Sequence, residues 1–82
     1  YIIDSLGWAL FKLKRYKESK NYLQLAVQLM PADPIVNDHY GDVLWKIGNK
    51  IQARYYWNYV LDLSKAEKTI KDNIKNKLIF GL

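Results

Sequence analysis

The chain contains no cysteine, so neither a disulfide framework nor thiolate chemistry is available to it. It has a single histidine, His39, among scattered carboxylates that lack the ligand spacing of a metal site. Its four glycines are dispersed along the sequence, and none of them builds a phosphate-cradling loop. No apolar run approaches the roughly 20 residues that a membrane-spanning helix requires, and no signal-peptide pattern occurs within the sequence. Long blocks of one charge are also missing. The formal net charge is +5, but the lysines recur singly between apolar residues, as on solvated helix faces. No metal, cofactor or catalytic site is therefore expected, and the compartment stays open.

What is present is an apolar half of the sequence and an aromatic fraction of 15%, enough for one small helical domain. Only two prolines occur, Pro31 and Pro34, and together they define a joint. Pro31 has no N–H to donate and cannot continue a helix running up to Met30. Asp33 followed by Pro34 is the arrangement of an N-cap before the first helical residue, where the carboxylate accepts from free backbone N–H groups. One helix is predicted to stop near Met30 and another to start at Pro34.

Apolar spacing places the remaining helices. Ile3, Leu6, Leu10 and Leu13 recur at steps of three and four, which predicts a first helix over 2–13 with that stripe buried and with Trp8 and Phe11 off it. A turn near Lys14 and Arg15 leads to a second helix over 16–30. The third runs over 34–47 with Val36, Tyr40, Val43, Leu44 and Ile47 buried, and Gly48 ends it. The fourth, over 50–63, carries Tyr55, Tyr56, Trp57 and Tyr59. Ser64 and Glu67 have the spacing of a capping box. That box predicts a fifth, amphipathic helix from there to about Phe80, with Ala66, Ile70, Ile74 and Leu78 inward and Lys65, Lys68, Lys71, Lys75 and Lys77 on the other sides.

The sequence also repeats itself at an offset of 34 residues. Asp4 matches Asp38, Gly7 matches Gly41, Leu10 matches Leu44, Lys12 matches Lys46, Tyr22 matches Tyr56, and Leu29 matches Leu63. Paired helices at this period are the signature of the tetratricopeptide repeat, and over about residues 1–65 the chain resembles two consecutive repeats of that family. One copy presents Leu6-Gly7, Leu10, Ser19, Leu23, Ala26 and Pro31. The next presents Tyr40-Gly41, Leu44, Ala53, Trp57, Val60 and Lys65. Leu23 departs from the family's aromatic, Val60 from its small residue and Lys65 from its closing proline. The last departure implies that the chain runs almost directly into the next helix.

The resemblance implies an all-α fold, a segment of right-handed α-solenoid with a first repeat over 1–33, a second over 34–64 and a capping helix over 65–82. The layout looks most like the C-terminal end of a bacterial protein of this family. Because Tyr1 already lies on the first helix's apolar pattern, further repeats are expected upstream, and the face left towards them offers a route to self-association.

The function that the resemblance implies is protein–protein interaction, as a scaffold that holds a partner's peptide or helix in a concave groove. The family's groove positions fall here on Tyr1, Asp4, Trp8, Phe11 and Lys12, then on Ile35, Asp38, Asp42, Trp45 and Lys46. Helical spacing independently puts Asp38, Asp42, Trp45 and Lys46 on one face. Asp4, Trp8, Phe11, Lys12, Asp38, Asp42, Trp45 and Lys46 are the expected partner contacts. The lysine and asparagine clamp for a terminal carboxylate, which part of the family carries, is missing, so the acidic groove implies a basic and apolar partner.

Three other readings compete. Trp8 and Phe11 would serve equally well as packing against an upstream repeat. Lysines interleaved with tyrosines are also the ingredients of nucleic-acid binding on outer helix faces. The chain would otherwise act only as a structural cap. Catalysis is not expected. Ser5 and His39 occupy equivalent positions of successive repeats, about 10 Å apart, too far for a nucleophile and its base. His39 reads as a surface or inter-helix residue.

Overall fold

Asp33 closes one helix pair and opens the next. Its Oδ1 accepts from the backbone N–H of Ile35 at 2.9 Å and of Val36 at 3.0 Å, which satisfies two donors that a helix start leaves bare. Asn37, one turn on, donates from Nδ2 to the carbonyls of Pro31 at 3.0 Å and Asp33 at 2.8 Å, so the reversal is tied from both sides. In the computed structural model, which describes residues 2–82, five helices follow in order. They are α1 (Ile2–Lys12), α2 (Tyr16–Leu29), α3 (Pro34–Lys46), α4 (Lys50–Leu61) and α5 (Lys68–Phe80). The expected groove position Tyr1 lies outside the described residues.

α1 and α2 form one antiparallel hairpin and α3 and α4 a second; α2 packs on α3, and α5 lies against α4 and α3. The period of the sequence returns in the backbone. Lys14 N–H donates to the Phe11 carbonyl and Arg15 N–H to that of Leu10, both at 2.9 Å. Their equivalents, Gly48 to Trp45 at 3.1 Å and Asn49 to Leu44 at 2.9 Å, repeat the pattern, which is a Schellman closure. That closure needs a left-handed residue, and both copies have one: Gly48 at φ 95° and Lys14 at φ 62°.

Close approach within each hairpin rests on its glycine. A Cβ at Gly7 would lie 2.7 Å from the Leu23 side chain, and one at Gly41 would run into Trp57 Nε1. In the first hairpin Ser19 Oγ also donates to the Gly7 carbonyl at 2.7 Å. The core lies mainly around the second hairpin, where Val43, Leu44, Ala53, Trp57, Val60 and Ile74 are buried together with Leu23 of α2.

Three expectations are corrected. The α1 stripe is not a buried stripe: Leu6 is 49% and Leu13 66% exposed, while Asp4 and Gly7 are the buried residues of that helix. No described residue covers the outer side of the first hairpin, whereas the equivalent Tyr40 in the second hairpin is buried. The capping box does not form either. α5 starts at Lys68 with Glu67 as N-cap and no side-chain cap bond. Residues 62–67 are turns, not a direct passage between helices. Ala66 is buried in the core, and its N–H donates to the Leu63 carbonyl at 3.1 Å, so burial of this corner overrides the local cap signal. Beyond these corrections, the C-terminal end of α5 is apolar and open, with Ile79 70% and Phe80 81% exposed.

Candidate functional site

The residues expected to line a groove separate into two clusters on α1 and α3. In one, Asp4 is buried on α1, and its Oδ1 and Oδ2 lie 3.0 and 3.2 Å from His39 Nδ1 on α3. An ionised carboxylate only accepts, so Nδ1 carries the proton in this pair. The His39 ring stacks on Trp8 with centroids 3.9 Å apart and planes 9° off parallel. Trp8 stacks on Phe11 at 4.6 Å and 7°, and Phe11 meets Tyr16 edge-on at 5.3 Å. A carboxylate, an imidazole and two rings thus form a rigid shelf joining the two hairpins, with Trp8 and Phe11 half-buried.

The other cluster is built around Asp42, which is only 4% exposed. Its Oδ1 accepts from Trp57 Nε1 at 3.1 Å and from Lys77 Nζ of α5 at 2.9 Å. Lys77 Nζ also donates to Asp38 Oδ1 at 2.8 Å. Burial first, and then the charge of Asp38, push the Asp42 carboxyl up to about 6 against the pull of Lys77. Burial also works against the Lys77 ammonium, but the charges of Asp42 and Asp38 and the bonds to them outweigh it, leaving its pKa raised. The two directions agree physically: one cation is shared by two mutually repelling carboxylates, so the cation gains and the more deeply buried acid does not.

Trp45 completes this cluster. It stacks on Trp57 at 5.4 Å, with Lys50 Nζ 5.0 Å and Arg54 Cζ 5.6 Å from its ring centroid. The end of α5 closes over it. A Cβ at Gly81, where φ is 74°, would run into the Trp45 ring at Cζ2, and Arg54 donates to the Leu78 carbonyl at 3.3 Å.

The expectation of one open acidic groove is therefore corrected. Asp4, Trp8 and Phe11 come together, and so do Asp38, Asp42 and Trp45, but their carboxylates are already engaged within the chain. Lys12 and Lys46 are exposed and form no ion pair among the described residues. The functional reading from sequence missed Lys77, His39 and Gly81. Lys77 alone carried a signal, since it stands beside Leu78 and three residues after Ile74, on the flank of the apolar face. Among the described residues no group of three His, Cys, Asp or Glu side chains could hold a metal ion, and no helix is long and apolar enough to cross a membrane.

No curated protein and no solved structure matches the chain. Residues 2–33 match the family model of the tetratricopeptide repeat, and that segment covers α1, α2 and the joint held by Asp33. The hairpin of α1 and α2 is thus similar to a tetratricopeptide repeat, and the chain as a whole is an all-α array of helices consistent with a helical repeat solenoid.

Proposed function

We propose that this chain is a protein-interaction module that holds a partner's peptide or helix against the open part of its α1/α3 face, with residues 1–33 and 34–64 as its two repeats and 65–82 as their cap. Repeats of this family generally mediate protein–protein interaction. The observation that carries the reading is the Phe11–Trp8–His39 stack, fixed by Asp4 and half-open to solvent. Rigid aromatic anchors lose little entropy on binding and dominate interface energetics.

The carboxylates of the face are paired internally, so the charges left for a partner are those of Lys12 and Lys46. Lys12 lies one turn beyond Trp8 on the same side of α1. The partner chemistry that fits is then an apolar side chain on the shelf flanked by acidic ones. This reverses the basic partner expected from the sequence. Selection of peptides from a random library on the immobilised chain tests it. Enriched peptides should combine apolar with acidic residues, and should lose binding to Trp8→Ala and to Lys12→Glu with Lys46→Glu, each variant retaining its helical circular dichroism. Enrichment only of peptides whose binding survives Trp8→Ala, or of none, would sink the reading.

A further inference from the structure

The seat formed by Asp38, Asp42 and Trp57 on the second hairpin is already filled, by a helix of the same chain. We propose that α5 is a built-in ligand of this seat, and that a partner's basic amphipathic helix, with a lysine placed as Lys77 is, displaces it.

Two sets of observations support this. The first concerns what the seat recognises. Lys77 Nζ bridges Asp38 at 2.8 Å and Asp42 at 2.9 Å, and Trp57, whose Nε1 donates to the same Asp42, lies 5.8 Å from that ammonium. Ile74, one turn before Lys77, is fully buried, with Ile70 and Leu78 packed on the same core. The recognised pattern is thus apolar, apolar, then lysine followed by an apolar residue, at steps of four, three and one. The bound helix is rich in lysine and the seat is acidic, which supplies charge complementarity.

The second set concerns how lightly α5 is held. Ile74 is the only buried residue of that helix. Its first turn has no side-chain cap, and Ile79 and Phe80 stand in solvent. Residues 62–67 are turns rather than a rigid extension of α4, so they can act as a tether when α5 leaves. A tethered ligand competes through its high local concentration, and a free helix gains the seat when that competition weakens. This seat differs from the open shelf around Trp8 in place and in charge preference, so either can fail without the other.

The probe is a fluorescein-labelled peptide of residues 66–82, titrated into the full chain and followed by anisotropy. Saturable binding is expected, about tenfold tighter to Lys77→Met than to the wild type, because the internal competitor has lost its cation. It should be lost for Asp38→Asn with Asp42→Asn and for a peptide carrying Met at the Lys77 position, and be unaltered by Trp8→Ala. No saturable binding to Lys77→Met, or equal binding of both peptides, overturns the proposal. So does a concentration-dependent dimer of the wild type in sedimentation that Asp38→Asn with Asp42→Asn abolishes, which would make a second copy the occupant. Native-state hydrogen exchange of the wild type gives a test that needs no variant. The α5 amides should exchange at least about tenfold faster than those of α3 and α4, through a separate opening. Exchange of all three together at the global rate would show that α5 does not leave its seat.

Discussion

Replacing Lys77 by methionine removes a cation from a buried site while keeping most of the stem that packs beside it. Breaking a buried ion pair ordinarily costs about 3–5 kcal/mol, because a charge is stranded. Here Asp42 has an escape. With Lys77 in place its carboxyl titrates at about 6, so near pH 7 the ionised form is favoured over the protonated form by only ~1.4 kcal/mol. That figure is a ceiling on what Asp42 loses, because a carboxylate left in a worse position takes up a proton instead. Asp38, less deeply buried, adds at most about 1 kcal/mol. The expected loss is about 1.5–2.5 kcal/mol near pH 7. The sign of the pH dependence follows from the raised folded value. Asp42 stands above its ordinary 3.8, so the folded chain binds this proton more tightly than the unfolded chain. In the wild type the cost of ionising it accrues up to about 6 and then levels off; in the variant it continues to grow above that. The gap between the two proteins therefore opens above about pH 6 and shrinks to below ~1 kcal/mol near pH 5. Urea unfolding followed by far-ultraviolet circular dichroism at both pH values, with m compared between them, measures it. A gap that is the same at both, or one beyond about 4 kcal/mol near pH 7, would refute the proton escape.

Three substitutions test the frame that holds the site. Lys14→Gly should stabilise the chain by about 0.5–1 kcal/mol in thermal unfolding, since φ 62° strains a lysine and the equivalent position is already Gly48. Gly41→Ala should lower the melting temperature and alter the Trp57 fluorescence. The methyl would run into Trp57 Nε1, and overpacking of about 1–3 kcal/mol exceeds the ~1 kcal/mol that alanine gains over glycine in a helix. Asp33→Ala should cost about 1 kcal/mol in urea unfolding through loss of the cap to Ile35 and Val36.

The joint and the repeat were legible because their chemistry is local or periodic. Asp33 caps the helix that Pro34 begins whatever lies elsewhere, and Gly7 with Gly41 had to sit where helices meet in both copies. The start of α5 was misread because a local signal lost to burial. Ser64 and Glu67 have capping-box spacing, but Leu63 and Ala66 turn the chain into the core first. The site was misread for a related reason. On a helical wheel Asp42 and Asp38 look like solvent-facing acids, and nothing within a few residues says otherwise. Their partner is 35 residues further along for Asp42 and 39 for Asp38. His39 and Asp4 are likewise 35 apart. Such contacts depend on how successive units stack, and single-helix periodicity does not encode that.

The acids of the α1/α3 face share a common arrangement. Asp4 on the first helix of one hairpin reaches a base on the first helix of the next, and Asp38 and Asp42 on that helix reach a base on α5. Each carboxylate faces forward along the chain and is met by the unit that follows. Buried polar and ionic contacts of this kind add little net stability over apolar packing, but they penalise any register that leaves a polar group or charge unmatched. They therefore fit a role in fixing how each unit sits on the one before. On that account α5 takes the place that the first helix of a further hairpin would occupy, and its Lys77 answers the acids that such a helix would otherwise have to meet. The same acids are then structural while α5 is docked and available for recognition once it is displaced, and their paired geometry in the closed chain specifies the lysine that a displacing helix must bring.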